Sequence, residues 1–152
     1  MGTNFFISTN NKEVCDKYFG YNYELTDTPD WGYTIHIAKT SAGWLPLFEA
    51  HDCFKSIKEL KELYNTGHFI IYDEYGDTYD WDQFDKRVLK HNGGVNGAIP
   101  KTPIEREPIG LYFDNNMPPH VPVSHFEYAH GAYSHGYFKD PDGFEFANHE
   151  FS

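Results

Sequence analysis

Four histidines recur every five residues towards the C-terminus, at His120, His125, His130 and His135. Neutral imidazole is the commonest protein ligand of transition metals, so this series raises the question of bound zinc or another transition metal. A step of five residues along a strand places neighbouring histidines on opposite faces, although His120 with His130, or His125 with His135, would share a face across a bend. We therefore favour no cofactor and interpret the series as polar strand histidines packed among aromatic side chains.

A second set of chemically competent side chains lies on a predicted β-hairpin and comprises His36, Lys39, Ser41 and His51. Antiparallel pairing would bring His36 and His51 onto neighbouring strands. A histidine next to Ser41 would be able to activate its hydroxyl as a nucleophile, although no nucleophile-elbow motif surrounds this serine. These four residues are the catalytic candidates if the protein is an enzyme. The alternative is a structural hairpin anchored by Trp44.

The third set is an acidic and aromatic stretch at residues 73–85, which contains six carboxylates and no Lys or Arg. Its spacing does not match a calcium-binding loop, which needs a central glycine and a bidentate glutamate in fixed register. Carboxylates beside aromatic rings suit the Arg and Lys side chains of a partner, whereas the alternative is a solvated helix start. The residues that we expect to bind a partner are Asp73, Glu74, Asp77, Tyr79, Asp80, Trp81, Asp82 and Asp85.

The charge balance limits the classes of partner. The chain has 12 Lys and Arg against 23 Asp and Glu, which gives a formal net charge of −11 at pH 7 with nine neutral histidines. Such a field repels nucleic-acid phosphates and anionic lipid, so we expect neither direct nucleic-acid binding nor membrane binding. A partner protein with a basic surface fits this charge better. The alternative is that the negative charge serves only to keep the protein in solution.

The helices and strands that the sequence predicts, which must position these side chains, indicate an α+β fold. The 152 residues fit one compact domain, residues 1–152, and a shift towards glycine, proline and asparagine near residue 93 marks a candidate subdomain edge. We expect antiparallel hairpins, two short amphipathic helices and a loop-rich C-terminal third. The cysteines Cys15 and Cys53 form neither a disulfide framework nor a CxxC metal knuckle, so we expect free thiols.

Alternation of apolar and polar residues predicts strands at residues 4–8 and 68–72, and hairpins at residues 32–51 and 134–147. Residues 12–19 are expected to form one or two helical turns. With Ser56 as its N-cap, a helix is predicted at residues 57–64, and a second helix runs from a cap at Asp80 to Leu89. The N-terminal residues contain no basic region and no apolar run of signal length, so we expect a cytoplasmic protein.

The hairpin carries a resemblance to a known group of proteins. Residues 36–44 read His-Ile-Ala-Lys-Thr-Ser-Ala-Gly-Trp, and together with residues 1–4, 73–76 and 143–152 they resemble small bacteriophage proteins that carry a His-Ile-x-Lys-Ser-Ser-x-Gly-Trp hairpin. Many members of that group carry a CxxC zinc knuckle near the N-terminus, whereas this chain has only Cys15 in that region. The resemblance implies a phage protein that acts in the cytoplasm of the infected host.

Two hypotheses of function follow. In the leading one, a non-enzymatic phage protein uses its acidic and aromatic stretch to bind and inhibit a host nucleic-acid-binding or defence protein. In the alternative, the protein is a metal-dependent or histidine-dependent enzyme centred on the hairpin and the C-terminal histidines. A minor component of the virion is a third hypothesis.

Overall fold

The computed structural model describes residues 2–26, 32–41, 43–90, 124–125 and 136–151. Eight strands lie within them: β1 (Gly2–Thr9), β2 (Glu24–Leu25), β3 (Tyr33–Ser41), β4 (Leu47–Glu49), β5 (Ile70–Asp73), β6 (Thr78–Tyr79), β7 (Tyr137–Lys139) and β8 (Glu145–Ala147). The helices are α1 (Lys12–Tyr18), α2 (Ile57–Asn65) and α3 (Trp81–Phe84), and α3 continues as a π-helical turn (Asp85–Leu89). This is a compact α+β arrangement, which confirms the predicted fold class.

The described strands form one mixed sheet in the order β6-β5-β1-β3-β4-β8-β7, and β2 adds to the N-terminal end of β3. Strand β1 pairs antiparallel with both β3 and β5, so it lies inside the sheet. Strands β3 and β4 are antiparallel, which confirms the predicted hairpin. Strand β8 pairs parallel with β4 and antiparallel with β7, so the C-terminal hairpin extends the first hairpin rather than standing apart from it.

The two faces of the sheet differ in character. One face packs against the helices in a single hydrophobic core, whose fully buried members include Phe5, Ile7, Phe48, Ile71 and Phe146 from the strands and Leu60, Phe84 and Val88 from the helices. Successive side chains of a strand point to opposite faces, so the neighbours of these strand residues belong to the other face. That second face carries Asn4, Phe6 and Thr34, with His36 opposite Phe6 in the register of β1 and β3.

The helices begin at caps that the local sequence supplies. The hydroxyl of Ser56 accepts a hydrogen bond from the backbone N–H of Glu59 at 3.1 Å. Asp80 forms a reciprocal capping box with Gln83, in which each side chain accepts a hydrogen bond from the other residue's backbone N–H. Asn11 is a third N-cap, and the helix that it starts, α1, lies within the predicted helical turns at residues 12–19. The N-caps predicted at Ser56 and Asp80 are therefore confirmed.

Element boundaries differ from the prediction where tertiary pairing decides them. Strand β1 exceeds the predicted residues 4–8 because β3 pairs with it over its whole length, Gly2–Thr9, whereas β5 pairs only with Phe5–Ser8. The second predicted helix does not stay α-helical, since the N–H of Lys90 donates to the carbonyl of Asp85 at 3.0 Å in the i to i−5 pattern of a π-helix. Of the predicted C-terminal hairpin, residues 134 and 135 lie outside the described residues, and β7 begins at Tyr137.

One buried aspartate joins the C-terminal hairpin to α2. The Oδ2 atom of Asp140 accepts a hydrogen bond at 2.8 Å from the N–H of Ile57, the first residue of α2. Its Oδ1 atom accepts from the N–H groups of Asp142 at 3.0 Å and Phe144 at 2.8 Å. The turn of the C-terminal hairpin therefore also caps a helix that is distant in sequence, and the negative charge of Asp140 complements the helix dipole.

Both cysteines are free, as predicted; Cys15 is buried in the core and Cys53 is half-buried. Within the part of the chain that the structure describes, none of the helices has both the length and the apolar character that a bilayer crossing requires.

Candidate functional site

A cleft of about 950 Å³ lies beside the polar face of the sheet. Its lining combines sheet residues with the segments that follow α1, β4 and β8. The sheet contributes Asn4, Phe6, Thr34, His36 and Glu49, and the connecting segments contribute Tyr21, His51, Asp52 and Phe151 among others. Concave sites of this volume with a few convergent polar groups are the usual places where proteins bind small molecules.

Glu49 lies at the centre of the polar groups. Glu49 lies on β4, and only 6% of the residue is exposed. A buried carboxylate needs hydrogen-bond or ion-pair partners to be stable. The Oε1 atom accepts a hydrogen bond from Nδ1 of His36 at 3.0 Å, and the Oε2 atom lies 3.2 Å from Nε2 of His51. One buried carboxylate therefore orients two imidazole rings, in the way that a catalytic aspartate or glutamate orients its histidine.

His36 is held on all sides. Its Nε2 atom lies 2.9 Å from Oδ1 of Asn4, while its Nδ1 atom faces Glu49. Nδ1 donates to the carboxylate of Glu49 and Nε2 contacts the side-chain amide of Asn4, so both ring nitrogens have partners. Phe6 and Phe151 contact the ring edge to face, with centroids 5.5 Å and 4.9 Å away. His36 therefore has little freedom to rotate.

His51 has one defined tautomer in this geometry. Its Nε2 atom lies 2.6 Å from the carbonyl oxygen of His36 and 3.2 Å from Oε2 of Glu49. Both oxygens are acceptors, so Nε2 must carry the proton. The Nδ1 atom of His51 has no hydrogen-bond partner among the described residues. In the neutral ring its lone pair is therefore available to a bound molecule.

A β-bulge sets the direction of His36. The register between β1 and β3 shifts between Phe5 and Phe6, so that Phe5 lies opposite Ala38 and Phe6 lies opposite His36. Without the extra residue on β3, Ile37 would lie opposite Phe6 and His36 would point into the core. Bulges commonly re-aim side chains next to active sites. This bulge brings His36 to the same face as Glu49.

The other two catalytic candidates do not join this site. Lys39 pairs with Asn4 and Leu47, and Ser41 lies at the end of β3 opposite Gly2. Neither residue belongs to the described lining of the cleft. The structure thus brings together His36 and His51 of the predicted set and separates Lys39 and Ser41 from them.

Cys53 also lines the cleft, but it is not a reactive thiol. Burial is the main cause that raises its pKa to about 11, and the charges of Asp52 and Glu59 add to the effect. The group is therefore protonated at neutral pH, whereas nucleophilic cysteines react as thiolates.

Two residues of the acidic stretch at residues 73–85 form hydrogen bonds within the turn between β5 and β6. Asp73 is buried, and its carboxylate accepts hydrogen bonds from the N–H groups of Tyr75 at 2.9 Å and Asp77 at 3.0 Å and from the hydroxyl of Tyr79 at 2.7 Å. Burial and the bond to Asp73 raise the pKa of Tyr79 to about 12. The polar atoms of Asp73 and Tyr79 thus stabilise the connection between β5 and β6.

The remaining acids of the stretch lie nearer the surface. Glu74 accepts a hydrogen bond from the backbone N–H of Asn4 at 2.8 Å, and Asp80 caps α3. Asp82 pairs with Lys86 at 3.0 Å, and Asp85 pairs with Lys90 at 3.4 Å. The exposed carboxylate of Asp77 has no ion-pair partner among the described residues. Trp81 is half-buried against Tyr64 and Phe84.

The histidine series is described at one position. His125 stacks on Trp44 with ring centroids 4.5 Å apart, and burial lowers its pKa to about 4, so the ring is neutral at pH 7. His120, His130 and His135 lie outside the described residues. Where the structure does describe the chain, no group of three or more His, Cys, Asp or Glu side chains is arranged to hold a metal ion.

Glu49 and Asn4 are functional candidates that the sequence reasoning missed. A signal for Glu49 was present, because a charged residue stands between Phe48 and Ala50 in an apolar strand and two residues before His51. Residues two apart on an extended chain share a face, so this pair should lie together. No comparable local signal exists for Asn4, since it reaches His36 through pairing of distant strands.

Comparison of the chain with models of known protein families, with curated proteins and with solved structures finds no match.

Proposed function

We propose that the cleft binds a small molecule and that His51, oriented by Glu49, takes a proton from it or returns one, which makes the protein a histidine-dependent enzyme. The observation that carries this proposal is that the two oxygens of one buried carboxylate each face a different imidazole in the wall of the cleft. This is the histidine-dependent form of the enzyme hypothesis of the sequence analysis, with Glu49 and Asn4 in place of Lys39, Ser41 and the C-terminal histidines.

The proposed roles follow from the hydrogen bonds. With Nε2 of His51 protonated, Nδ1 is the basic atom, and Glu49 stabilises the positive charge that forms when Nδ1 accepts a proton. Asn4 and Glu49 hold His36, whose backbone carbonyl in turn fixes the ring of His51. A positioned general acid or base typically contributes about 10²-fold to 10⁴-fold in rate.

The test of this proposal compares wild-type protein with His51→Gln. Each is incubated with a small-molecule extract of bacterial cells, and mass spectrometry follows the compounds that are consumed. We expect the wild type to consume at least one compound about 100-fold faster than the variant, because glutamine cannot accept the proton. His68→Gln is the matched control, since His68 is exposed and lies outside the described lining of the cleft. Equal consumption by wild type and His51→Gln would contradict the proposal.

A second candidate function is the binding of a host protein with a basic surface, as the leading hypothesis from the sequence states. The observation that favours it is the exposure of Tyr75, of which 72% is accessible, between the exposed acids Glu74 and Asp77. Exposed rings beside carboxylates suit Arg and Lys side chains. In this proposal the phage protein inhibits a host nucleic-acid-binding or defence protein by covering its basic surface.

Charge reversal at Asp77 and Asp82 tests the second candidate without removing the buried acceptor Asp73 or the helix cap Asp80. We expect Asp77→Lys with Asp82→Lys to lose a host protein that the wild type captures from bacterial lysate at low salt and releases at high salt. The control, Glu62→Lys with Asp142→Lys, makes the same change in net charge elsewhere and should still capture it. Capture by both variants alike would rule out this surface.

A further inference from the structure

We infer that the cleft selects organic cations, so that the small molecule it takes carries an ammonium group. This inference rests on the proposed function, which makes the cleft a ligand site. It adds the chemical class of that ligand. Three features carry it: the carboxylates of the lining that have no ion-pair partner among the described residues, the aromatic rings of the same lining, and an intramolecular cation already held by one of those rings.

The lining of the cleft is strongly acidic. Its described residues include four carboxylates, at Glu24, Glu49, Asp52 and Glu150, and one lysine, Lys55. Glu49 is satisfied by the two histidines, so it does not need an external cation. Glu24, Asp52 and Glu150 are exposed and have no ion-pair partner among the described residues. Three carboxylates therefore face the cleft with little positive charge to balance them.

Six aromatic rings also belong to the lining of the cleft. The rings in the lining are Phe6, Tyr18, Phe19, Tyr21, Tyr23 and Phe151. Tyr21 is fully exposed, so its ring is accessible to a bound molecule. The face of an aromatic ring attracts a cation within about 6 Å of its centroid, and such rings form the cages that bind quaternary ammonium groups. Rings and unpaired carboxylates together favour ammonium over neutral or anionic ligands.

One tyrosine of the lining, Tyr23, already contacts an ammonium group of the protein itself. The Nζ atom of Lys12 lies 4.9 Å from the centroid of Tyr23 and 5.2 Å from that of Tyr33, and it also lies 3.1 Å from the hydroxyl of Tyr23. Asp16 neutralises this lysine at 2.7 Å. Lys12 thus shows how an ammonium fits against a tyrosine and a carboxylate in this part of the molecule.

Long-range electrostatics act in the same direction. The formal net charge of −11 raises the local concentration of cations and lowers that of anions. The volume of about 950 Å³ exceeds what a metal ion or a simple ammonium ion needs and suits an organic molecule. Among the described residues of the lining, only Lys55 and the histidines would attract an anionic ligand, and the carboxylates would repel it.

The test uses three probes that share a ring and differ in charge: benzylamine, which is a cation at pH 7, benzyl alcohol and benzoate. Dissociation constants are measured from chemical-shift changes of cleft residues in a ¹⁵N-labelled sample at low salt. We expect benzylamine to bind about tenfold more tightly than benzyl alcohol, which corresponds to one partly screened charge contact, and benzoate to bind most weakly. The preference for benzylamine should shrink as salt is added.

Two variants locate the effect. Asp52→Asn with Glu150→Gln should remove most of the preference for benzylamine. Glu62→Gln with Asp77→Asn removes the same number of negative charges outside the described lining and should keep the preference. His51→Gln should still bind benzylamine, so loss of catalysis in that variant and loss of cation selectivity are separate results. Equal binding of all three probes, tighter binding of benzoate, or no binding of any probe would overturn the inference.

Discussion

Replacing Glu49 with glutamine is expected to lower the free energy of unfolding by about 3 kcal/mol, because the change leaves a buried donor without an acceptor. The amide of glutamine has one oxygen, whereas the carboxylate faces Nδ1 of His36 with one oxygen and Nε2 of His51 with the other. If the oxygen of glutamine stays on Nδ1 of His36, its amide N–H faces Nε2 of His51, which is itself a donor bonded to the carbonyl of His36, so the amide N–H is left unpaired. If the amide turns over, Nδ1 of His36 loses its acceptor. Urea denaturation of the wild type and the variant measures the difference.

Glu24→Gln is the matched control for this prediction. Glu24 also lines the cleft, but it is exposed and has no ion-pair partner among the described residues, so its replacement should change stability by less than about 0.5 kcal/mol. In the consumption assay, Glu49→Gln should approach the rate of His51→Gln because the base is no longer oriented. A Glu49→Gln protein as stable and as active as Glu24→Gln would contradict the role given to Glu49.

The second large effect is expected at Asp140, where alanine should lower the free energy of unfolding by about 3 kcal/mol. The carboxylate accepts hydrogen bonds from three backbone N–H groups, those of Ile57, Asp142 and Phe144. Hydrogen bonds to a charged acceptor contribute about 1.5 kcal/mol or more each, and partial access of water to the exposed turn reduces the sum. Thermal or urea unfolding measures the loss.

Asp142→Ala separates the role of the side chain of Asp140 from a general sensitivity of the turn. Asp142 lies in the same turn, but it is exposed and takes part through its backbone N–H, which alanine retains. Its replacement should change stability by less than about 0.5 kcal/mol. If both variants lost equal stability, the bond from Ile57 to Asp140 would not be the link between the hairpin and α2 that the geometry indicates.

The features that the sequence predicts well are those set by neighbouring residues. Ser56 and Asp80 cap their helices because a cap needs only a side-chain oxygen and N–H groups two or three residues further on. The hairpin of β3 and β4 follows from alternation and a glycine turn, and it brings His36 and His51 together as expected. These local rules account for much of the α+β fold.

The features that the sequence did not predict depend on contacts between distant segments. The bulge that aims His36 at Glu49 exists only in the pairing of β1 with β3. The parallel pairing of β4 with β8 and the cap that Asp140 gives to Ile57 each join segments far apart in the chain. Because local patterns carry no record of such partners, Asn4 and Asp140 were not identified as important residues.

The acidic stretch shows a different reason for incomplete prediction. The composition gives the number of carboxylates, but it does not show which of them accept hydrogen bonds within the fold. Asp73 accepts three hydrogen bonds inside the turn and is buried, while the carboxylate of Asp77 remains exposed. The two proposed functions use different surfaces, because the acids of this stretch do not belong to the described lining of the cleft. Variants in one surface should therefore leave the other intact.

The carbonyl of His36 and the carboxylate of Glu49 together fix His51 in the tautomer whose Nδ1 lone pair is free, and the proposed function depends on this tautomer. Long-range ¹H–¹⁵N correlation spectra of the histidine side chains test it most directly, above neutral pH and with His51→Gln to assign the signals. We expect neutral His51 to carry its proton on Nε2, and we expect this preference to weaken in Glu49→Gln. A wild-type His51 with the proton on Nδ1, or with an equal mixture of both tautomers, would contradict the proposed role of His51.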